Sequence, residues 1–126
     1  MTQPSVAILG ASSDRGKFGN KSVRAHLSQG YTVYPINPKG DSIEGLTTYA
    51  RLSDVSTSTL TRISVYLPPR LLLTALPEIA ATPHDELWFN PGTDTEEVLQ
   101  RAGELGLDPI RGCSIVELGV SPADFP

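Results

Sequence analysis

A segment rich in glycine, serine and charge follows the first apolar run of the chain, and its residue types suit phosphate binding. The run Ser5–Leu9 ends at Gly10, and the polar segment extends to Asn20 before a helical pattern begins. Glycines let backbone N–H groups approach a phosphate closely, and the first turn of a following helix adds unpaired amides and partial positive charge. The segment fits neither the G-x-G-x-x-G pattern nor the P-loop pattern, so it predicts an anion site without naming the ligand. The predicted binding residues are Gly10, Ala11, Ser12, Ser13, Lys17, Gly19 and Asn20.

The end of the second predicted strand narrows the choice of ligand. A domain that binds NAD usually carries an acidic residue there, which holds the ribose 2′-hydroxyl. This chain has Asn37, Pro38 and Lys39 instead, so a carboxylate is missing and a cation is present. That difference favours a ligand with an additional phosphate on its ribose, either coenzyme A or NADP. The alternative is that Lys39 is a solvated lysine in a turn.

Two further corners follow the third and fourth predicted strands. They consist of Pro68 and Pro69, and of Asn90, Pro91 and Gly92. Ligands of open parallel sheets bind beyond the carboxyl ends of the strands, so these corners are predicted to line the same crevice as the glycine segment. Each corner taken alone has a simpler explanation, because turns are generally rich in these residue types.

Strand and helix patterns alternate along the chain. Short apolar runs predict five strands, and helical patterns extend from Val23 to about Gln29, from Leu71 to Ala81 and from Thr95 to Ala102, with a helical turn near Leu52. This alternation with short connections implies a parallel sheet covered by helices on both faces. The prediction is an α/β, Rossmann-like three-layer domain with a mainly parallel sheet of about five strands. The predicted strands are Ser5–Leu9, Tyr31–Ile36, Ile63–Leu67, Glu86–Phe89 and Leu107–Arg111.

Length and composition indicate an ordinary cytoplasmic domain. The 126 residues fit a single domain over 1–126. No apolar run approaches the ~20 residues that cross a bilayer, and no basic segment precedes the first apolar stretch as in a secretory signal. The single cysteine, Cys113, excludes an intramolecular disulfide framework.

Charge is distributed unevenly. Residues 1–40 hold five basic residues against one acidic residue, whereas the remainder holds five against thirteen, and the whole chain carries −4. An acidic protein with one basic end is a poor candidate for coating nucleic acid but suits a single small anionic ligand. Chance clustering of surface charges is the alternative.

Taken together, these residues resemble the small CoA-binding protein family, which is similar to the N-terminal domain of the succinyl-CoA synthetase α subunit. The resemblance covers almost the whole chain in order. It rests on Val6–Ser12, Lys17–Asn20, Val33–Lys39, Ile43–Leu46 with Tyr49, Val65–Pro69, Asn90–Gly92 before Glu96 and Glu97, and Cys113 with Glu117.

The resemblance implies a five-stranded Rossmann-like domain with coenzyme A lying across the strand ends. Residues 10–20 would take the pyrophosphate, Lys39 would lie near the adenosine phosphate, and the corners at 68–69 and 90–92 would flank the rest of the ligand. The ending 112–119 departs from the commoner family ending, so two readings of Cys113 stay open. It is either a small core residue or a thiol able to form a mixed disulfide with the ligand.

We expect binding without catalysis. The synthetase works through a phosphorylated histidine in a second domain, and we expect no such domain in this chain. His26 falls in the middle of a predicted helix and His84 in a predicted turn, so both are expected to be structural or solvated. The chain is therefore expected to bind coenzyme A or an acyl-CoA as a sensor or subunit, with no nucleic acid or membrane partner and with unknown protein partners. The alternative is an NADP-dependent or acyl-CoA-handling enzyme component that a partner chain completes.

Overall fold

Five parallel strands form one sheet in the computed structural model, which describes residues 3–40 and 42–126. They are β1 (Ser5–Leu9), β2 (Thr32–Ile36), β3 (Leu60–Val65), β4 (His84–Phe89) and β5 (Ile110–Arg111). Their order across the sheet is β2-β1-β3-β4-β5, and every neighbouring pair is parallel. This confirms the predicted α/β class and the parallel, five-stranded sheet.

Helices cover both faces of the sheet. One face carries α1 (Phe18–Ser28) and α4 (Ser114–Glu117), and the other carries α2 (Pro69–Ala80) and α3 (Glu96–Glu104). Successive residues of a strand point to opposite faces. Val6 and Ile8 therefore join one apolar cluster with residues of α1, while Ala7 and Leu9 join the other with residues of α2 and α3. The central strands are apolar on both faces because both faces are covered.

The third strand begins and ends earlier than predicted. The sequence indicated Ile63–Leu67, but the ladder runs from Leu60 to Val65 and includes Arg62. Arg62 is almost fully buried, and its guanidinium pairs with Glu117 at 2.7 Å and Glu86 at 3.0 Å. An interior arginine interrupts the apolar pattern from which a strand is recognised, so the prediction started one residue too late to include it.

Other boundaries also differ from the prediction. His84 was placed in a turn but is the first residue of β4, and β5 has two residues rather than the five of Leu107–Arg111. The weakly patterned tail contains α4 and a 3₁₀ turn, Pro122–Asp124. None of the described helices has the length and apolar character that crossing a bilayer requires.

Pro35 lies within β2 without costing a ladder bond. Its carbonyl accepts from the amide of Tyr49 on the outer side of the sheet, at 2.9 Å. Because the nitrogen and carbonyl of one strand residue point to the same side, the donor missing from proline faces this outer edge and not β1. Proline is tolerated on edge strands for this reason.

Candidate functional site

A cleft of about 530 Å³ lies beyond the carboxyl ends of the strands. The order β2-β1-β3-β4-β5 reverses direction between β1 and β3, and such a reversal opens a crevice in doubly wound sheets. The volume is in the range of small-molecule sites. Most of the predicted site residues line it, namely Gly10, Ala11, Ser12, Lys17, Gly19, Asn37, Pro38, Lys39, Pro68, Pro91 and Gly92.

The glycine loop, residues 10–20, presents open backbone donors beside this cleft. The first residue before α1 is Lys17, whose side chain does not cap the helix. Among the described residues, the amides of Ser12, Ser13, Phe18 and Gly19 have no intramolecular acceptor. Open amides at a helix N-terminus carry partial positive charge, so this end of the cleft is suited to an anion.

Two glycines set the shape of the loop. Gly10 has a φ of +85°, and a Cβ there would lie 3.0 Å from the carbonyl atoms of Tyr66. A Cβ on Gly19 would lie 2.2 Å from the carbonyl O of Gly10. The start of α1 therefore packs directly on the exit of β1, and only glycine at position 19 permits that approach.

The loop also orders itself through its own side chains. Ser12 Oγ accepts from the amide of Asp14 at 3.0 Å, and Asp14 Oδ1 accepts from the amide of Gly16 at 2.9 Å. Since the Ser12 oxygen acts as an acceptor, its hydroxyl hydrogen is available for a ligand. Ser13 is exposed and does not line the cleft.

Asn20 is buried and braces the loop from behind. Its Nδ2 donates to the carbonyl O of Ser12 at 2.9 Å and to Glu44 Oε2 at 3.1 Å, and its Oδ1 accepts from Arg24 Nε at 2.7 Å. Glu44 has a φ of +49° and forms a tight turn with Gly45. That conformation is costly for a residue with a Cβ, and here the carboxylate reaches Asn20. The geometry makes Asn20 a support of the loop outside the cleft lining.

The corner after β2 brings a second cation to the cleft. Asn37 Nδ2 donates to the carbonyl O of Ala11 at 2.8 Å, and its Oδ1 accepts from the amide of Lys39 at 2.8 Å. Asn37 thus joins this corner to the glycine loop. Lys17 and Lys39 are both exposed, and neither forms an ion pair with a carboxylate in the described part of the chain.

Large apolar side chains form the walls of the cleft, and sequence reasoning missed them as site residues. Phe18 is 57% exposed and Leu71 is 45% exposed, and both line the cleft. Tyr66 and Leu67 line it from the corner after β3, whereas Pro69 is the first residue of α2 and does not. An aromatic residue just before G-N in the glycine loop was the available signal for Phe18.

Asn90 lies beneath the cleft and not in its lining. Its Nδ2 donates to Val65 O and Ser64 Oγ, both at 2.9 Å, and its Oδ1 accepts from the amide of Ser114 at 2.9 Å. The hydroxyls of Tyr66 and Ser114 lie 3.1 Å apart and continue this network towards the cleft. Burial raises the pKa of the Tyr66 phenol, so its hydroxyl stays protonated at neutral pH.

An apolar groove of about 350 Å³ adjoins the cleft on the side of β2 and α2. Its walls include Leu9, Leu52 and Ala75, and it shares Pro38 and Leu71 with the cleft. The two spaces together combine a polar, cationic end with an apolar end. That combination fits an elongated ligand with both phosphate and apolar parts.

The remaining candidate residues lie away from the cleft. His26 is fully buried, His84 is half-buried at the start of β4, and neither lines the cleft. Cys113 is half-buried immediately before α4 and is also outside the lining. Within residues 3–40 and 42–126, no group of three or more His, Cys, Asp or Glu side chains is placed to hold a metal ion.

The chain matches one family model and is similar to several solved structures. The family model described as "CoA binding domain" matches residues 4–119. A conserved hypothetical protein from Pyrococcus furiosus has 31% identity and a TM-score of 0.81, over 90% of this chain and 98% of that chain. A Thermus thermophilus protein has 29% identity and a TM-score of 0.81, over 91% and 87% of the two chains.

A larger enzyme contains a similar domain. The dinucleotide-forming acetyl-coenzyme A synthetase 1 of Ca. Korarchaeum cryptofilum has 26% identity and a TM-score of 0.70. The similarity covers 84% of this chain but 25% of the synthetase chain.

Proposed function

This chain belongs to the CoA binding domain family, and on that premise we propose that its cleft binds coenzyme A or an acyl-CoA. One observation carries the proposal. The open amides of the glycine loop, Lys17 and Lys39 border one cleft, and the residues directly after β2, 37–40, include no acidic residue. A ligand with a pyrophosphate and a separate ribose phosphate matches these two positive regions.

The orientation of the ligand follows from the charges. The pyrophosphate lies against the amides of Phe18 and Gly19, where the α1 dipole and the Lys17 ammonium favour negative charge. The 3′-phosphate lies near Lys39. Phe18 and Leu71 offer apolar surface on either side, so the uncharged parts of the ligand have contacts of their own.

We propose further that the chain binds this ligand without transforming it. Among the described residues, the ionisable side chains that line the cleft are those of Lys17, Lys39 and Tyr66, and the Tyr66 phenol keeps its proton at neutral pH. Such a set supports anion binding. The second candidate is a component of an acyl-CoA-handling or NADP-dependent enzyme completed by a partner chain. The similar domain within the larger acetyl-coenzyme A synthetase favours it.

A thermal-shift series with CoA, acetyl-CoA, NADP, NAD and ATP tests the ligand. A ligand that binds only the folded state at 100 times its Kd adds about 2.7 kcal/mol of stability. CoA and acetyl-CoA should raise the Tm more than NAD or NADP. Equal or greater stabilisation by NAD refutes the proposal, and greater stabilisation by NADP favours the NADP-dependent enzyme component.

Mass spectrometry of the ligand tests the absence of catalysis. Acetyl-CoA incubated with the pure protein in aqueous buffer should be hydrolysed no faster than in the same buffer without protein. Faster release of free CoA would establish a hydrolase activity in this chain alone.

A further inference from the structure

The last residues of the chain form a strap over α1. This C-terminal strap, Ser121–Pro126, follows residue 119, where the family match ends. It orders itself locally, because Ser121 Oγ accepts from the amide of Ala123 at 3.2 Å and Asp124 Oδ2 accepts from the amide of Ser121 at 2.9 Å. The strap is therefore a structured addition to the part of the domain that the family shares.

Arg24 of α1 holds the strap. Its Nη1 donates to the backbone O of Pro126 at 3.1 Å, and its Nη2 donates to the carbonyl O of Phe125 at 2.9 Å. The guanidinium also lies 5.9 Å from the centre of the Phe125 ring. Lys21 makes a separate and longer contact, from Nζ to the carbonyl O of Pro122 at 3.4 Å.

The same guanidinium reaches the glycine loop. Nη2 of Arg24 also donates to the carbonyl O of Arg15 at 2.9 Å, and Nε donates to Asn20 Oδ1 at 2.7 Å. Asn20 in turn holds Ser12. A guanidinium is a rigid planar fork, so its acceptors on the strap and on the loop keep fixed relative positions.

The position of the glycine loop affects anion binding because the donors that it offers are backbone amides, which move only with the loop. The open amides of Phe18 and Gly19 belong to the same turn as Asn20, and Arg15 lies on the adjoining part of the loop. A site built from preorganised donors loses affinity when its supporting shell is loosened, even though no ligand contact is removed.

We propose that the C-terminal strap controls the affinity of the anion loop through Arg24, which is a positioning residue. The inference rests on the proposed function, since the ligand whose affinity changes is coenzyme A. Removing the carbonyl groups of the strap or the guanidinium of Arg24 makes residues 12–20 more mobile and weakens pyrophosphate binding. The affinity for ligands without a pyrophosphate does not depend on these hydrogen bonds.

Three variants separate this role from a general effect on stability. They are Arg24→Gln, a truncation after Asp124 that removes Phe125 and Pro126, and the matched control Lys21→Gln. The control removes one positive charge from the same helix and one strap contact, and among the described residues the Lys21 side chain has no hydrogen bond to the loop. For each protein, amide hydrogen exchange is measured by residue, and CoA and adenosine 3′-monophosphate are titrated.

The expected result is faster exchange in residues 12–20 for Arg24→Gln and for the truncation, with β1 and β4 as protected as in the parent. CoA affinity falls roughly 2- to 30-fold in both, the range for residues that act on a site without touching its ligand. The affinity for adenosine 3′-monophosphate, which has no pyrophosphate, stays the same. Lys21→Gln leaves the loop exchange unchanged.

Unchanged loop exchange in both test variants overturns the inference. So does an effect of Arg24→Gln that the truncation does not reproduce, because the strap would then have no part in it. Equal losses for both ligands show a general destabilisation and also overturn it. If the parent protein does not bind CoA, the proposed function fails, while the loop exchange still decides whether the strap braces the loop.

Discussion

Acidification from pH 7 to pH 4 should remove about 3 kcal/mol of folding free energy through His26. The imidazole is fully buried in α1, where Nδ1 donates to the carbonyl O of Ser22 at 2.8 Å. Its Nε2 is buried without a partner in the described part of the structure, and the ring meets that of Tyr31 edge-on at 5.0 Å. A proton on Nε2 would therefore bring an unsolvated charge into the interior.

Burial is the main reason that the pKa of His26 falls from 6.5 to about 4. The backbone bond to Ser22 opposes the shift, the nearby charge of Arg62 adds to it, and Glu117 opposes it more weakly. Because the folded pKa is the lower one, the unfolded chain binds the proton more tightly between pH 4 and 6.5. Stability is full above pH 6.5 and falls as the pH drops towards 4. At 1.36 kcal/mol for each pH unit, the loss is about 3 kcal/mol.

Urea unfolding of the parent and of His26→Gln, each from pH 7 to pH 4, isolates this contribution. The free energy of the parent minus that of the variant should decrease by about 3 kcal/mol over this range, since other titrating groups cancel in the difference. His84→Gln is the matched control, because it removes the other histidine and leaves the buried ring of α1 in place. A difference that is constant with pH refutes the reasoning. So does a titration of His26 near pH 6.5 by NMR.

Three further predictions concern the cleft and the thiol. Lys39→Ala should weaken CoA binding by roughly tenfold or more and narrow the preference for CoA over dephospho-CoA, whereas Lys17→Ala should weaken the binding of both ligands. If calorimetric titration finds that preference unchanged in Lys39→Ala, Lys39 does not bind the 3′-phosphate. Gly19→Ala should abolish CoA binding and cost about 1–3 kcal/mol by urea unfolding, because the new Cβ overlaps Gly10 O. The control Gly103→Ala, in α3 with open space around it, should be neutral or stabilising. Intact mass spectrometry should find no adduct of CoA disulfide on native Cys113; an adduct that reductant removes and Cys113→Ser lacks would reverse this expectation.

The strands that the sequence predicted best are those whose burial leaves an unbroken apolar pattern. Ser5–Leu9 was predicted with its observed bounds because every residue of β1 is buried and Gly10 ends the run. The N-terminus of α3 was predicted to within one residue, since Thr95 caps it and acidic residues fill the first turn. By contrast, Arg62 and His84 are polar residues within strands, where Arg62 pairs with Glu117 and His84 donates to the carbonyl O of Thr82. The ion pair of Arg62 joins residues far apart in the chain, and no local pattern reveals it.

The location of the cleft corners could be predicted because the sheet topology brings these corners together independently of their side-chain contacts. Parallel strands end at one edge, so Gly10, Asn37, Pro68 and Pro91 had to converge. The apolar walls were harder to foresee. Leu71 looked like an ordinary helical residue, and only the placement of α2 beside the crevice exposes it there.

Three of the predicted binding residues are asparagines whose side chains bond to the backbone. An asparagine side chain carries both a donor and an acceptor, so at a strand end it can serve a ligand or the backbone equally well. Asn20, Asn37 and Asn90 all direct their Nδ2 groups to main-chain carbonyls, of Ser12, Ala11 and Val65 respectively. Each bond ties one corner to a neighbouring loop or strand. A buried amide that loses such a partner costs more than the bond itself contributes, so these residues hold the cleft in one shape. In the proposed function, the loop amides are preorganised for a phosphate because Asn20 and Asn37 are committed to the loop backbone.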